Sequence, residues 1–393
     1  MKVAVIIKRY DISLGGAEWL VFELVSALSQ LGLDVEVLAA EANVTSPNIH
    51  VLCQNSHGKH ISLGFFSKIV RQYLAKNHFD IVHSVIPLTF TDVYQPPGGS
   101  FAETIIRNAA SYNNRFINYY KKATAFTNLR RTGAMLAEKN LCKNPKGPIV
   151  AALSEYVKEQ FKLHYGLEEE RIVVIPNGVG TDRQVDTART QELRSEISHH
   201  LRKGQAANPV FFLFGANNFR LKGLGVLIKA LALVSKSDVP STPYLLIAGS
   251  GNSKIYYNLA KRLGIANRVI FLGFLSNIQN ALVISDVAVL PTFYDPSSRF
   301  ILEALAADKP VITTRFNGAT DLFVNNRHGK VIDAPENITA LAEAISYFTD
   351  KNNIQKASHA IIKDNLKEKI SINRAAGQLI NVYESILQKK GQK

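Results

Sequence analysis

The strongest constraint on this chain is an alternation of short apolar strands and amphipathic helices that runs once, stops, and runs again. Residues 2–7 read as a buried strand. Residues 17–31 then repeat Leu20, Phe22, Leu24, Val25 and Leu28 at helical spacing, closed by Gly32 at a C-cap position. Strands follow at 34–39, 80–85, 148–153 and 172–175, with a helix over 154–165. The pattern restarts at 209–215 and adds strands at 244–248, 268–272, 287–290 and 310–314, with helices at 224–234, 254–263, 303–307 and 338–348. Strands that are apolar along their whole length need cover on both faces, and the intervening helices supply it, so each run implies a parallel sheet. The expected fold class is α/β, with two Rossmann-like domains. The boundary falls near Pro176-Asn177-Gly178, giving an N-terminal domain over 1–178 and a C-terminal domain over 179–370. The polar stretch 181–208 reads as a linker.

At 393 residues and 46% apolar content, the chain is long enough for two cores. The run 3–7 is too short for a signal-peptide core, and the most apolar later stretch, 281–290, is interrupted by Ser285 and Asp286. With only Cys53 and Cys142, a disulfide framework is not expected, and a cytoplasmic location is. The net charge of +14 calls for an anionic partner. Half of it lies between Phe101 and Gly147, nine Lys or Arg against two acids, a net +7. Ile105, Ala109, Tyr112, Phe116, Tyr119, Ala123 and Phe126 follow a 4-3 spacing that predicts one helical face. Arg107, Lys121 and Lys122 fall roughly opposite, with Arg115 on the flank. Such a helix either packs on the domain with a solvated back or lies on an anionic inner-membrane surface, with residues 101–131 as the contact. The alternative from a different class, a basic nucleic-acid-binding protein, would need interleaved aromatics, for which the Tyr-rich 112–120 segment is the only hint; no nucleic-acid partner is expected.

Four motifs sit where strands end. Gly15-Gly16 follows the first strand and lets backbone approach a ligand at a helix N-terminus, although a tight turn serves equally well. Phe219-Arg220-Leu221-Lys222-Gly223 places two cations and a glycine at a strand-to-helix junction, a combination suited to diphosphate. Asp295 and Glu303 are carboxylates eight positions apart across a loop and a helix start. Glu303 lies in an otherwise apolar run, so it needs a partner or a purpose; Asp295 could alternatively be an N-cap. Gly249-Ser250-Gly251-Asn252 is a phosphate-style loop or a plain turn. His83 ends a strand, where it could meet a substrate or be a buried structural residue. No His set has zinc spacing and no Asp-x-Asp pair occurs, so no metal is expected.

Taken together, these motifs resemble the retaining glycosyltransferases of the GT-B fold, of the family 4 type, which includes glycogen synthase-like and lipopolysaccharide-core enzymes. Gly15-Gly16 resembles the family's N-terminal glycine loop, Ser154 its helix-opening segment, and Ile175-Pro176-Asn177-Gly178-Val179 its interdomain signature. Asp295 to Glu303, followed by Ala307 to Ile312, resembles its Glu-x7-Glu block. Val269 to Phe274 resembles the strand and loop that read the base. The resemblance implies two domains facing across a cleft, with a C-terminal helix over 371–393 returning to the N-domain. It implies a nucleoside-diphosphate sugar, UDP-linked, as substrate, with no cofactor. Arg220, Lys222 and Asp295 would be catalytic. Gly15, Gly16, Gly249, Phe274, Ser298, Arg299 and Glu303 would bind the donor, and His83 would face the acceptor. Two departures are visible: Asp295 where the family has Glu, and Arg299 where it has an apolar residue. Asp92-Val93-Tyr94 and Phe101-Ala102-Glu103 resemble a loop of the enzymes that place glucose on lipopolysaccharide core. That implies a glycan or lipid-linked acceptor and a protein peripheral to the inner membrane, with another cell-surface polysaccharide or glycolipid as the alternative acceptor.

Overall fold

A computed structural model describes residues 1–11, 16–53, 61–112, 115–124, 128–181, 184–202 and 208–392. The chain forms two compact units. The first comprises Met1–Ala109, Phe116–Val179 and Ser371–Lys393, and the second Ala110–Arg115 and Gly180–Ile370.

The first unit holds seven strands: β1 (Lys2–Tyr10), β2 (Asp34–Ala42), β3 (Ile49–Val51), β4 (Ile81–Ser84), β5 (Val93–Tyr94), β6 (Ile149–Ala152) and β7 (Ile172–Val174). They pair in parallel in the order β3-β2-β1-β4-β5-β6-β7. Val3, Ala4, Val5 and Ile6 are wholly buried, as a strand covered on both faces requires. The helix Ile372–Gly391 is capped by Ser371, whose Oγ accepts from the Arg374 N–H at 3.2 Å. Its face Ala375, Ala376, Leu379 and Tyr383 joins the core of this unit beside Leu24, Ala27 and Leu28 of the helix Gly16–Gln30. Small residues at 375 and 376 let the two helices approach.

The second unit holds β8 (Pro209–Gly215), β9 (Thr242–Ala248), β10 (Val269–Gly273), β11 (Val287–Leu290), β12 (Val311–Thr314) and β13 (Gly329–Ile332). Their order is β10-β9-β8-β11-β12-β13, again all parallel. In both sheets the first and fourth strands of the run are neighbours, and this order places a topological switch point between them.

Two expectations about local structure need correction. The stretch 181–208 is not a plain linker, because the helix Thr187–Arg202 lies within it. Its buried residues Thr190, Leu193 and Ile197 recur at 3-4 spacing, a thin stripe in a polar sequence. The predicted continuous face from Ile105 to Phe126 is also interrupted. The helix Phe101–Ala110 ends before Ser111, and a new helix runs over Arg115–Ala123. Ile105 and Ala109 are buried whereas Phe116 and Tyr119 are exposed, so they do not share one face. Ser111 is a residue whose side chain competes with helical hydrogen bonding. The side chains of Arg115, Lys121, Lys122, Ala123 and Arg130, and all of Phe126, lie outside the described residues.

Candidate active site

In the second unit, the loops that follow β8 and β11 flank the switch point and lock together. The Phe293 N–H donates to the Leu221 carbonyl at 2.9 Å, and the Thr292 hydroxyl reaches the same oxygen at 3.3 Å. Gly223, with φ of +83°, closes the junction: a Cβ there would lie 2.0 Å from the Pro291 carbonyl oxygen. Only glycine permits both the dihedral and the approach.

This junction brings Lys222 to Asp295. The Lys222 ammonium donates to Asp295 Oδ2 at 2.7 Å and to the Tyr294 carbonyl at 2.9 Å. The two side chains are 20% and 14% exposed. A pair so sheltered is screened less than a surface pair and holds a defined geometry. Asp295 is held in turn by its backbone, whose N–H donates to Phe316 and whose carbonyl accepts from Gly318, both at 2.9 Å.

The helix Arg299–Ala306 is capped by Ser298, not by Asp295; Ser298 Oγ accepts from the Ile301 N–H at 3.4 Å. Phe300, Ile301, Leu302, Ala304 and Leu305 are buried. Glu303 is buried among them, and its Oε1 accepts from Arg299 Nε at 2.9 Å. The carboxylate in an apolar run has therefore found its partner one turn earlier, in one of the residues that departs from the family pattern.

Asn317, which the motifs did not single out, organises both parts. Its Oδ1 accepts from the Ser298 and Ala319 N–H groups at 3.1 Å each, and its Nδ2 donates to Thr313 Oγ1 at 2.9 Å. It is wholly buried. Its only trace in the sequence is an Asn-Gly pair after a strand, which looks like any turn.

Arg220 donates to the Ser111 hydroxyl, and its guanidinium lies 3.8 Å over the Tyr112 ring. Both partners belong to the segment Ala110–Arg115, which clusters with this unit. The loops after β8, β9 and β10 also nest. The Gly249 N–H donates to Gly273 at 2.8 Å, and a Cβ on Gly249, at φ +139°, would lie 1.8 Å from the Ala216 oxygen. Close packing between loops thus accounts for Gly249. Phe274, just beyond β10, is exposed.

In the first unit, Gly16 opens the helix Gly16–Gln30 and is exposed, while Gly15 lies outside the described residues. The acceptor role expected of His83 does not fit its placement. His83 is wholly buried on β4, and its Nδ1 meets the Tyr383 hydroxyl at 2.6 Å. Burial pulls its pKa down to about 4, so the ring stays neutral. Having no exposed surface, it offers nothing to an acceptor.

Chemically, the second unit holds two cations, Lys222 and Arg220, and the carboxylate of Asp295 on loops at the C-terminal ends of a parallel sheet, with a second carboxylate, Glu303, on the helix Arg299–Ala306 that follows. Cations can neutralise a diphosphate and carboxylates can accept from hydroxyls. Among the described residues, no three His, Cys, Asp or Glu side chains gather as a metal-ligand set.

Comparison with known proteins gives a match to each half. Residues 14–183 match the model "Glycosyltransferase Family 4", and residues 198–368 match "Glycosyl transferases group 1". An uncharacterized glycosyltransferase of Methanocaldococcus jannaschii is 25% identical over 246 residues, 62% of this chain and 61% of that protein. The lipopolysaccharide glucosyltransferase WaaG of Escherichia coli is 23% identical over 334 residues, 84% of this chain and 85% of WaaG. Among solved structures, that of HepE from Anabaena in complex with UDP-glucose superposes with a TM-score of 0.67 over 100% of both chains, at 16% identity.

Proposed function

Because this chain belongs to the GT-B glycosyltransferases of the group 1 and family 4 type, we propose that it transfers a hexose, glucose first among candidates, from a UDP-sugar to a glycan or lipid-linked acceptor such as lipopolysaccharide core. The observation that carries this reading is the Lys222–Asp295 pair at the switch point of the second sheet. An incoming diphosphate competes with Asp295 for the ammonium. Lys222 then neutralises the charge that develops on the leaving UDP, assisted by Arg220. The displaced Asp295 oxygen turns to hexose hydroxyls. Glu303, steadied by Arg299, accepts from the ribose hydroxyls. The acceptor oxygen bonds to the anomeric carbon on the face from which UDP departs and gives its proton to the departing phosphate oxygen, which retains configuration and needs no protein nucleophile. These cations take the part a metal plays elsewhere, so the reaction proceeds without one.

The names of two related proteins support donor and acceptor: WaaG is a lipopolysaccharide glucosyltransferase, and HepE was crystallised with UDP-glucose. The test is transfer from UDP-glucose, UDP-galactose or GDP-mannose to lipopolysaccharide core in the presence of EDTA, with the anomer of the product read by proton NMR. We expect an α-linked product from UDP-glucose, undiminished by chelation. An inverted product, or activity lost with EDTA and restored by Mn²⁺, refutes the mechanism.

The same reading places the protein in the cytoplasm, peripheral to the inner membrane through residues 101–131. Phe116, Ile117, Tyr119 and Tyr120 are exposed there, a run that anionic lipid would cover. No described helix is long and apolar enough to cross a membrane. Co-sedimentation with phosphatidylglycerol vesicles at low salt, lost at high salt, is expected, and Phe116→Ser with Tyr119→Ser should weaken it.

A further inference from the structure

Between Asp238 and Asp286 the chain carries no acidic residue, yet it carries Lys254, Lys261, Arg262 and Arg268. Three of these four cations lie on the helix Ser253–Arg262 at the edge of the second unit. Its inner face is settled by packing: Ala260 is wholly buried, and the Tyr256 ring meets Phe219 edge-on at 5.6 Å. At 100° per residue, six of the other positions form one outward arc in the order Tyr257, Lys261, Lys254, Asn258, Arg262, Ile255. All six are exposed. Ile255 is 62% and Tyr257 47% accessible. Ile255, Asn258, Lys261 and Arg262 border one open depression. Among the described residues no carboxylate lies within ion-pair reach of Lys254, Lys261 or Arg262.

A solvated helix back would ordinarily mix both signs of charge and hide an isoleucine. This one is uniformly cationic, with an aliphatic and an aromatic side chain at its margins, which is the composition of a helix that rests on an anionic lipid surface. A nucleic-acid backbone would match the charge but has no use for an exposed Ile255. We propose that the helix Ser253–Arg262 is a lipid-facing surface of the second unit, which contacts anionic headgroups through Lys254, Lys261 and Arg262 and the interface below them through Ile255 and Tyr257. It shares no residue with the segment 101–131, of which only 110–115 belong to the same unit, and does not depend on what that segment binds, nor on which sugar is transferred.

A local probe separates this face from any other. Cys53 and Cys142 are buried, so Asn258→Cys in the full chain offers one accessible thiol for an environment-sensitive fluorophore. With phosphatidylglycerol vesicles at low salt, a blue shift is expected. It should be absent with phosphatidylcholine, and Lys254→Gln, Lys261→Gln and Arg262→Gln together should weaken it on the order of 100-fold in lipid concentration. Ile255→Ser with Tyr257→Ser should reduce the shift while leaving the salt dependence intact. Co-sedimentation without a shift at position 258 overturns the proposal, as does absence of any vesicle binding. A larger shift with duplex DNA than with vesicles assigns the face to nucleic acid and overturns it as well. UDP binding by the same variants, unchanged, shows that the fold and the donor site are intact.

Discussion

Glu138 offers a test of the structure that needs no substrate. It is wholly buried in the first unit on the helix Leu129–Lys143. It accepts from the Tyr94 hydroxyl at 2.9 Å, the Phe101 N–H at 2.9 Å and the Tyr165 hydroxyl at 2.5 Å. Burial outweighs these three donors and pushes its pKa up to about 7. A raised acid holds its proton in the fold at a pH where the unfolded chain has released it. Its contribution is therefore complete below about pH 4.5, declines as pH rises, and is gone above about 8. Two and a half units correspond to about 3 kcal/mol. His83 runs the other way. Its folded pKa of about 4 means that the unfolded chain binds a proton first, so stability falls as pH drops from about 6.5 toward 4, by a similar amount. The two slopes oppose each other between about pH 4.5 and 6.5 and largely cancel. Glu138→Gln keeps the shape, and Tyr94, whose hydroxyl can rotate to accept, tolerates the amide. The variant should then gain about 3 kcal/mol relative to wild type between pH 4.5 and 8, exposing the His83 slope. The assay is urea unfolding of both proteins across that range, followed by circular dichroism. A wild-type-minus-variant difference that does not change with pH refutes the assignment of a buried, proton-holding Glu138.

The remaining predictions concern the site. Lys222→Ala and Arg220→Ala should each lower glycosyl transfer about 100-fold or more in kcat, with far smaller changes in thermal stability; wild-type turnover in folded variants removes both from the mechanism. Glu303→Gln should weaken UDP binding in calorimetry, because an amide accepts less strongly than a carboxylate and loses the Arg299 pairing; equal affinity makes Glu303 purely structural. Asn317→Ala should cost about 1–3 kcal/mol of stability by orphaning the Ser298 and Ala319 N–H groups. It should also lower kcat by displacing Asp295, whereas Asn317→Asp, which keeps the acceptor, should recover part of the rate. An Asn317→Ala enzyme with normal kcat shows that the loop holds without it.

Local order was legible in the linear chain because it is written in periodicity. The strands at 209–215 and 287–290 have the bounds the apolar runs predict, and the restart after 208 correctly separates two parallel sheets. The cations at 220 and 222 and the carboxylates at 295 and 303 stand out because charge after an apolar strand, or inside an apolar helix, is costly without a reason. Short or shallow elements escaped: β5 is two residues long, and Thr190, Leu193 and Ile197 are too sparse a stripe to outweigh their polar neighbours.

Partnership is another matter, since it is a property of distance between residues far apart in sequence. Nothing in the order of residues pairs Lys222 with Asp295 across 73 positions, or His83 with Tyr383 across 300. Those distances exist only once β8 lies beside β11 and the helix Ile372–Gly391 packs on the first sheet. His83 shows the consequence most plainly. Its position at a strand end leaves contact with a substrate and burial equally open, and the packing of a helix that begins nearly three hundred residues later seals it from both water and ligand. Side-chain chemistry and period are local and survive in the sequence, whereas burial and pairing are decided by which surfaces the packed chain removes from water.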